Sequence, residues 1–181
     1  MGREDSKRQI MDATYRALCK HGYSDLSIQR IADEFEKGKS LIYYHYNDKQ
    51  DLMNSFLDHM MERMEEEDML KTSRSAEEQF DSLLDKTLAI EDEEMWEFRK
   101  ALMEIEAQTP HNKELAERFR KIDRVVKDKF EEVLAEMDIE RPEAKAELLI
   151  STIDGIISRK MGHGTPKDLE KIKEDIKQTF T

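Results

Sequence analysis

Apolar and small positions near the start of the chain fall at Ile10, Ala13, Thr14, Ala17 and Leu18, with His21 continuing the series. This three-one-three-one-three spacing draws one stripe along a helical cylinder. Gly22 ends that helix, as a residue tolerant of positive φ does. Ser27 can accept from the free amides of a following turn, so Ser27 to Phe35 reads as a second, short helix with Ile28, Ile31, Ala32 and Phe35 inward. After a connection at Glu36 to Gly38, the segment Lys39 to Tyr46 has room for only two helical turns. Its pattern turns Lys39, Ser40, Tyr43 and Tyr44 to solvent and Leu41, Ile42 and Tyr46 inward. Asn47 or Asp48 caps the next helix, with Lys49 in its first turn, where an approaching phosphate would be favoured.

The same periodicity runs to the end of the chain. Leu52, Met53, Phe56, Leu57, Met60, Met61 and Met64 predict one helix to about Met69. Phe80, Leu83, Leu84, Thr87 and Leu88 predict a helix over 76–90, and Met95, Trp96, Phe98, Leu102, Met103 and Ile105 another over 92–108, closed by Thr109-Pro110. Leu115, Phe119, Ile122, Val126, Phe130, Val133 and Met137 form a continuous seam over 112–137. Pro142 opens a further helix at a position suited to proline. Ala146, Leu149, Ile150, Ile153, Ile156 and Ile157 make its stripe wider than one neighbour covers, and Gly155 within it invites a second helix to cross there. Gly162, Gly164 and Pro166 separate a last helix over 167–180 with Leu169, Ile172, Ile176 and Phe180 as its seam. The expectation is an all-α protein.

Composition agrees: of 181 residues 40% are charged, with three prolines and six glycines, as in a soluble helical protein. No apolar run approaches the roughly 20 residues that cross a bilayer, and the charged N-terminus lacks a signal-peptide core. Cys19 is the only cysteine, so a reducing cytoplasm fits, and the residue reads as a small core side chain. The histidines at 21, 45, 59, 111 and 163 show no metal-ligand spacing, and neither a phosphate loop nor a nucleophile elbow is visible. Neither an enzyme nor a cofactor or metal is expected.

The Gly22-Tyr23 turn, Ser27, the pair Ile31-Ala32, the run Leu41-Ile42-Tyr43-Tyr44-His45-Tyr46 and the closing Asp48-Lys49-Gln50-Asp51-Leu52 together resemble the N-terminal domain of TetR-type transcriptional regulators. The resemblance implies a helix-turn-helix DNA-binding domain over 1–51 and a helical ligand-binding and dimerisation domain over 52–181. It puts Gln29, Lys39, Ser40, Tyr43 and Tyr44 at the surface that reads bases, Ser27, His45 and Lys49 at phosphate-contact positions, and Lys37 and Gly38 in the turn before the reading helix. His45 is equally open to packing against the fourth helix. The sequence departs from the family where Glu36-Lys37-Gly38 replaces the usual Gly-Val-Ser, which shifts the left-handed residue of the turn toward Gly38.

The resemblance further implies a homodimer on a palindromic operator, pairing through the last two helices at Leu149, Ile153, Gly155, Ile156, Ile157, Leu169, Ile172 and Ile176. It also implies a small-molecule effector held by Met53, Phe56, Met60, Met64, Phe80, Leu84, Met95, Trp96, Phe98, Arg99 and Met103. Methionine and aromatic linings suit an apolar or amphipathic ligand, although at helical spacing the same residues also build ordinary cores. Arg99, Glu104 and Glu106 are open between anchoring a polar ligand head and simple exposure. The function so implied is a ligand-released repressor of the cytoplasm.

Charge favours a rival reading. Residues 1–51 hold nine Lys/Arg and nine Asp/Glu, so the net charge of −12 resides entirely in the remainder. A neutral reader has weak long-range attraction for DNA. A helical dimeric adaptor of the same fold, with weak or lost specific DNA binding, is the alternative. The acidic surplus also suits a salty cytoplasm, whereas 18 lysines speak against extreme halophilic adaptation.

Overall fold

The computed structural model describes residues 3–35, 37–69, 75–89, 93–164 and 169–180. The described residues form nine α-helices: α1 Arg3–His21, α2 Ile28–Asp33, α3 Lys39–His45, α4 Lys49–Met69, α5 Ala76–Leu88, α6 Glu93–Glu106, α7 Lys113–Glu136, α8 Pro142–His163 and α9 Leu169–Phe180. A 3-10 turn at Thr109–His111 occupies the expected Thr-Pro break. The all-α expectation is met, and where a described helix end differs from the sequence reading it does so by one or two residues, while the expected ends at 90, 92 and 167 lie outside the described residues. Glu36, on which the departure in the turn partly rests, lies outside the described residues.

The chain forms two compact units. The first holds residues 1–67 and 93–120, and the second residues 68–92 and 121–181. In the first, Ile10, Ala13, Thr14, Ala17 and Leu18 of α1 are fully buried, which is the stripe seen in the sequence. Thr14 is tolerated there because its Oγ1 donates to the Ile10 carbonyl at 2.8 Å. α1 packs against α2 and α6. From α4, Leu52, Met53, Phe56 and Leu57 enter the same core, and the Phe56 ring meets Phe98 of α6 edge to face at 6.1 Å. Phe98 also contacts Tyr15 at 4.7 Å. The start of α7 is tied to α4 by a two-pronged pair, Arg118 Nε and Nη2 donating to Asp58 at 2.9 and 3.0 Å. Burial, above all, pushes the thiol of Cys19, which lies by Tyr15, up to about 11.

The second unit is built from α5, most of α7, α8 and α9. Phe80 of α5 meets Phe130 of α7 edge to face at 5.9 Å, surrounded by buried Leu84, Leu88, Val133, Leu134, Ala146, Leu149, Ile153, Ile157, Ile176 and Phe180. A capping box opens α5, with Ser75 Oγ accepting from the Glu78 amide and the Glu78 carboxylate accepting from the Ser75 amide. α9 is fastened to α5 by Lys173 to Asp85 and by Lys177 to Asp81 at 2.8 Å. Four residues expected at a dimer surface, Leu149, Ile153, Ile157 and Ile176, are thus core residues of their own protomer. The free side of α8 instead carries Leu148, Thr152 and Gly155, all exposed, with Ile156 half-buried. Leu169 and Ile172 are half-buried on α9. A Cβ added at Gly155 would meet nothing within 4 Å, so none of the described helices of this unit crosses closely there.

Candidate nucleic-acid interface

The short helices α2 and α3 are held by local chemistry that leaves their outer faces bare. Ser27, extended at φ −139, accepts at Oγ from the Arg30 amide at 3.2 Å and so caps α2. Ile28, Ile31 and Phe35 are buried beneath it, while Ala32 is half-buried. Gly38 then takes φ +85, a conformation costly for any residue with a side chain, and α3 begins directly after it. The left-handed residue therefore stands immediately before the reading helix. α3 anchors itself by Ile42 and by Tyr46 just beyond its end, both buried, whereas Leu41, expected inward, is only half-buried.

Two turns cannot bury more than one face, and the other face of α3 is aromatic and cationic. Tyr43 is 51% and Tyr44 69% exposed, with the Lys39 ammonium 5.6 Å from the Tyr43 ring centroid. Lys39, Ser40 and Lys37 are exposed beside them. Gln29 is exposed on α2, its amide donating to Asp33 at 2.9 Å. This set offers hydroxyl and ammonium donors on apolar rings, the mixture that contacts sugar, phosphate and base edges.

The residues expected at phosphate positions are less free. Ser27 Oγ serves α2 as its cap. His45 is half-buried, its ring 5.1 Å from that of Tyr44 and 6.1 Å from that of Tyr46. Lys49 opens α4, where Asp48 Oδ1 accepts from the Asp51 amide at 2.8 Å and the Asp51 carboxylate accepts from the Asn47 amide at 2.9 Å, so Asp48 is the cap. The Lys49 ammonium is half-buried: it donates to the Tyr23 carbonyl at 2.8 Å and lies 3.9 Å from the Tyr23 ring centroid. Burial pulls its pKa down, partly opposed by the charge of Glu104.

Three supports of this surface escaped the sequence reading as site features. Arg16 Nη2 donates to the Glu34 carbonyl at 2.8 Å and Lys20 pairs with the Glu34 carboxylate at 2.7 Å, tying α1 to the end of α2. The Lys20 contact, first of several, holds the Glu34 carboxyl below the usual carboxylate range. Glu104 of α6 accepts the Ser24 amide at 2.8 Å, which turns a residue considered for ligand binding toward the reader. Nothing local in the sequence marks these partners, which lie 14 to 80 residues apart.

The residues expected around an effector divide between the two units. Met53, Phe56, Met60, Met64, Met95, Trp96, Phe98, Arg99 and Met103 belong to the first, Phe80 and Leu84 to the second. Met53 and Phe56 with Phe98 are core, as are Phe80 and Leu84, whereas Met60, Met64, Met95, Trp96, Arg99 and Met103 are half-buried. A groove of about 570 Å³ along α1 and α4 is lined by none of them; its walls are charged, with Lys7, Arg8, Asp51, Asp58, Glu62 and Arg63 among them. Among the described residues no group of three or more His, Cys, Asp or Glu is placed to hold a metal ion, and no helix is long and apolar enough to cross a membrane.

A capped short helix, a left-handed turn and a second short helix with an exposed polar and aromatic face define a helix-turn-helix protein. Comparison with known proteins carries this to a family. Residues 10–56 match the model of bacterial regulatory proteins of the tetR family. The structure is similar, at a TM-score of 0.80 and 31% identity, to a TetR transcription regulator from Haloarcula marismortui, over 98% of this chain and 97% of that one. It is also similar to a transcriptional regulator from Saccharomonospora viridis in complex with choline (TM-score 0.78, 14% identity, 97% and 95% covered). A third similar structure is the fatty acid degradation regulator FadR from Bacillus halodurans (TM-score 0.68, 18% identity, 99% and 95% covered). A search of curated protein sequences found no match. The chain belongs to the TetR family and is a transcriptional regulator with a helix-turn-helix DNA-binding domain.

Proposed function

We propose that the protein is a homodimeric repressor that holds a palindromic operator and releases it when an apolar or amphipathic small molecule binds. The observation that carries this reading is the outer face of α3, where Lys39, Tyr43 and Tyr44 stand exposed with the Lys39 ammonium over the Tyr43 ring. In this reading residues 1–51 are the DNA-binding domain and 52–181 serve effector and partner. Gln29, Lys39, Ser40, Tyr43 and Tyr44 contact bases, with Ser27, Lys37, Gly38, His45 and Lys49 along the phosphates. One two-turn helix reaches too few base pairs for useful specificity, so two copies engage half-sites about 34 Å apart. Leu148, Thr152, Gly155 and Ile156 of α8 and the half-buried Leu169 and Ile172 of α9 supply the surface for the twin, an uncovered apolar strip being a poor surface to leave in water. The effector is held in the second domain by half-buried Met60, Met64, Met95, Trp96, Arg99 and Met103, and it acts through its preference for the dimer geometry that no longer matches successive grooves.

The test is to select duplexes from a random-sequence pool with the purified chain and measure binding by fluorescence anisotropy across a salt series. Enrichment of a two-fold-symmetric site bound by two chains is the expected result. A second reading, the dimeric adaptor, is favoured by one observation, the occupation of the Lys49 ammonium by Tyr23. Failure of the pool to enrich any sequence in a confirmed dimer would establish that reading instead.

A further inference from the structure

The last turn of α6 reaches into the joint between α1 and α2. Glu104 Oε2 accepts the Ser24 amide at 2.8 Å, a charge-assisted bond to backbone. The other partner of this joint is an absence: a Cβ added at Gly22 would come within 3.3 Å of Glu104 Oε1, and Gly22 holds φ +67. Glycine therefore suits the left-handed turn and leaves the carboxylate its seat without displacement. Between Gly22 and Ser24 stands Tyr23, whose carbonyl and ring together hold the Lys49 ammonium. A carboxylate from α6 and the first cation of α4 are thus fixed to one turn of three residues. The charge of Glu104 also favours the protonated form of Lys49.

We propose that Glu104 is a positioning residue for DNA binding: by fixing the Gly22–Ser24 turn to α6 it sets where Lys49 presents its ammonium to a phosphate. The inference rests on the phosphate-contact role given to Lys49 above. Its consequence is that the reader's grip depends on one hydrogen bond made by a side chain outside residues 1–51, so that any displacement of the end of α6 alters the placement of that cation.

The experiment is a double-mutant cycle on the selected duplex, with Glu104→Ala, Glu104→Gln, Lys49→Ala and the Glu104→Ala, Lys49→Ala pair, each measured across a salt series in the full chain. Glu104→Ala is expected to weaken binding about tenfold, the scale of one charge-assisted hydrogen bond, even though it removes a negative charge near DNA. Glu104→Gln keeps an acceptor for Ser24 and should bind within about threefold of the starting protein. In the Lys49→Ala background, where the slope of log affinity against log salt falls by about 0.9, Glu104→Ala should have no further effect. Equal losses in both backgrounds, or unchanged binding by Glu104→Ala, overturn the proposal. If Glu104→Ala unfolds the chain, the Gln variant decides: loss of more than about tenfold there also overturns it. If Lys49→Ala leaves affinity and slope unchanged while Tyr43→Ala abolishes binding, the phosphate role of Lys49 is what has failed, and the DNA-binding reading stands.

Discussion

α3 and α8 both leave apolar surface in water, and they do so for opposite reasons. α3 has seven residues and one buried anchor within it, Ile42, so a two-turn cylinder shows most of its surface whatever its sequence. What it shows is aromatic rings with hydroxyl tips beside an ammonium. α8 has 22 residues and buries Ala146, Leu149, Ile153 and Ile157 along one side, yet its other side presents Leu148, Thr152 and a bare Gly155. The first surface carries groups that can hydrogen-bond, whereas the second is mostly small and aliphatic. Exposure alone says little; the chemistry of the exposed tips separates a nucleic-acid face from a protein face.

The largest effects should come from the buried sides of these two helices. Ile42→Ala and Leu149→Ala each remove a fully buried side chain and should lower unfolding free energy by about 2–5 kcal/mol in urea titrations. For Leu149→Ala the loss should persist at every protein concentration, because the residue packs within its own protomer; a loss that disappears on dilution would return it to the dimer interface. On the exposed side of α3, Lys39→Ala with Tyr43→Ala should reduce operator affinity about a hundredfold, of the order of two lost polar contacts, with the thermal midpoint unchanged by circular dichroism. A shifted midpoint would mean that the face is structural. On α8, Gly155→Ala separates free from covered surface. Its Cβ has open space in the protomer, so the isolated chain should gain about 1 kcal/mol from helix propensity. In sedimentation the dimer should weaken if a twin helix crosses there.

The smallest effect concerns the brace behind α2. The Glu34 carboxyl is held low chiefly by Lys20, so its contribution is present above the ordinary carboxylate range and fades as pH falls through the depressed value. Lys20→Ala should flatten the acid limb of the stability curve by less than about 1 kcal/mol, as the lysine is well exposed.

Most of the helices were legible because each buries a stripe of period 3.6 that no other structure explains. Ser27, Gly22 and the pair Asn47-Asp48 marked their ends through cap chemistry that depends only on neighbours in sequence, and the fold selects Asp48 of that pair. The exposure of Lys39, Ser40, Tyr43 and Tyr44 was legible too, because a helix of two turns is too short to hide them. What was illegible depended on distant residues. A stripe shows that Leu149 and Ile153 are buried, but not whether the partner is α5 or a twin chain. Glu104 carries no local sign that its partner is the amide of Ser24, 80 residues away. Lys49 has the position of a phosphate ligand in sequence, and only the fold reveals Tyr23 beneath its ammonium.

The raised pKa of the Cys19 thiol, about 11, has a practical side. At neutral pH its thiolate fraction is roughly two to three orders of magnitude below that of a free cysteine, so maleimide or nitroxide reagents will largely pass it by. A single Ser40→Cys substitution on the bare face of α3 would then take a spectroscopic label at one place per chain without removing the native cysteine. In the proposed homodimer the separation of the two α3 helices would then be a distance that spin resonance can follow as candidate effectors are added.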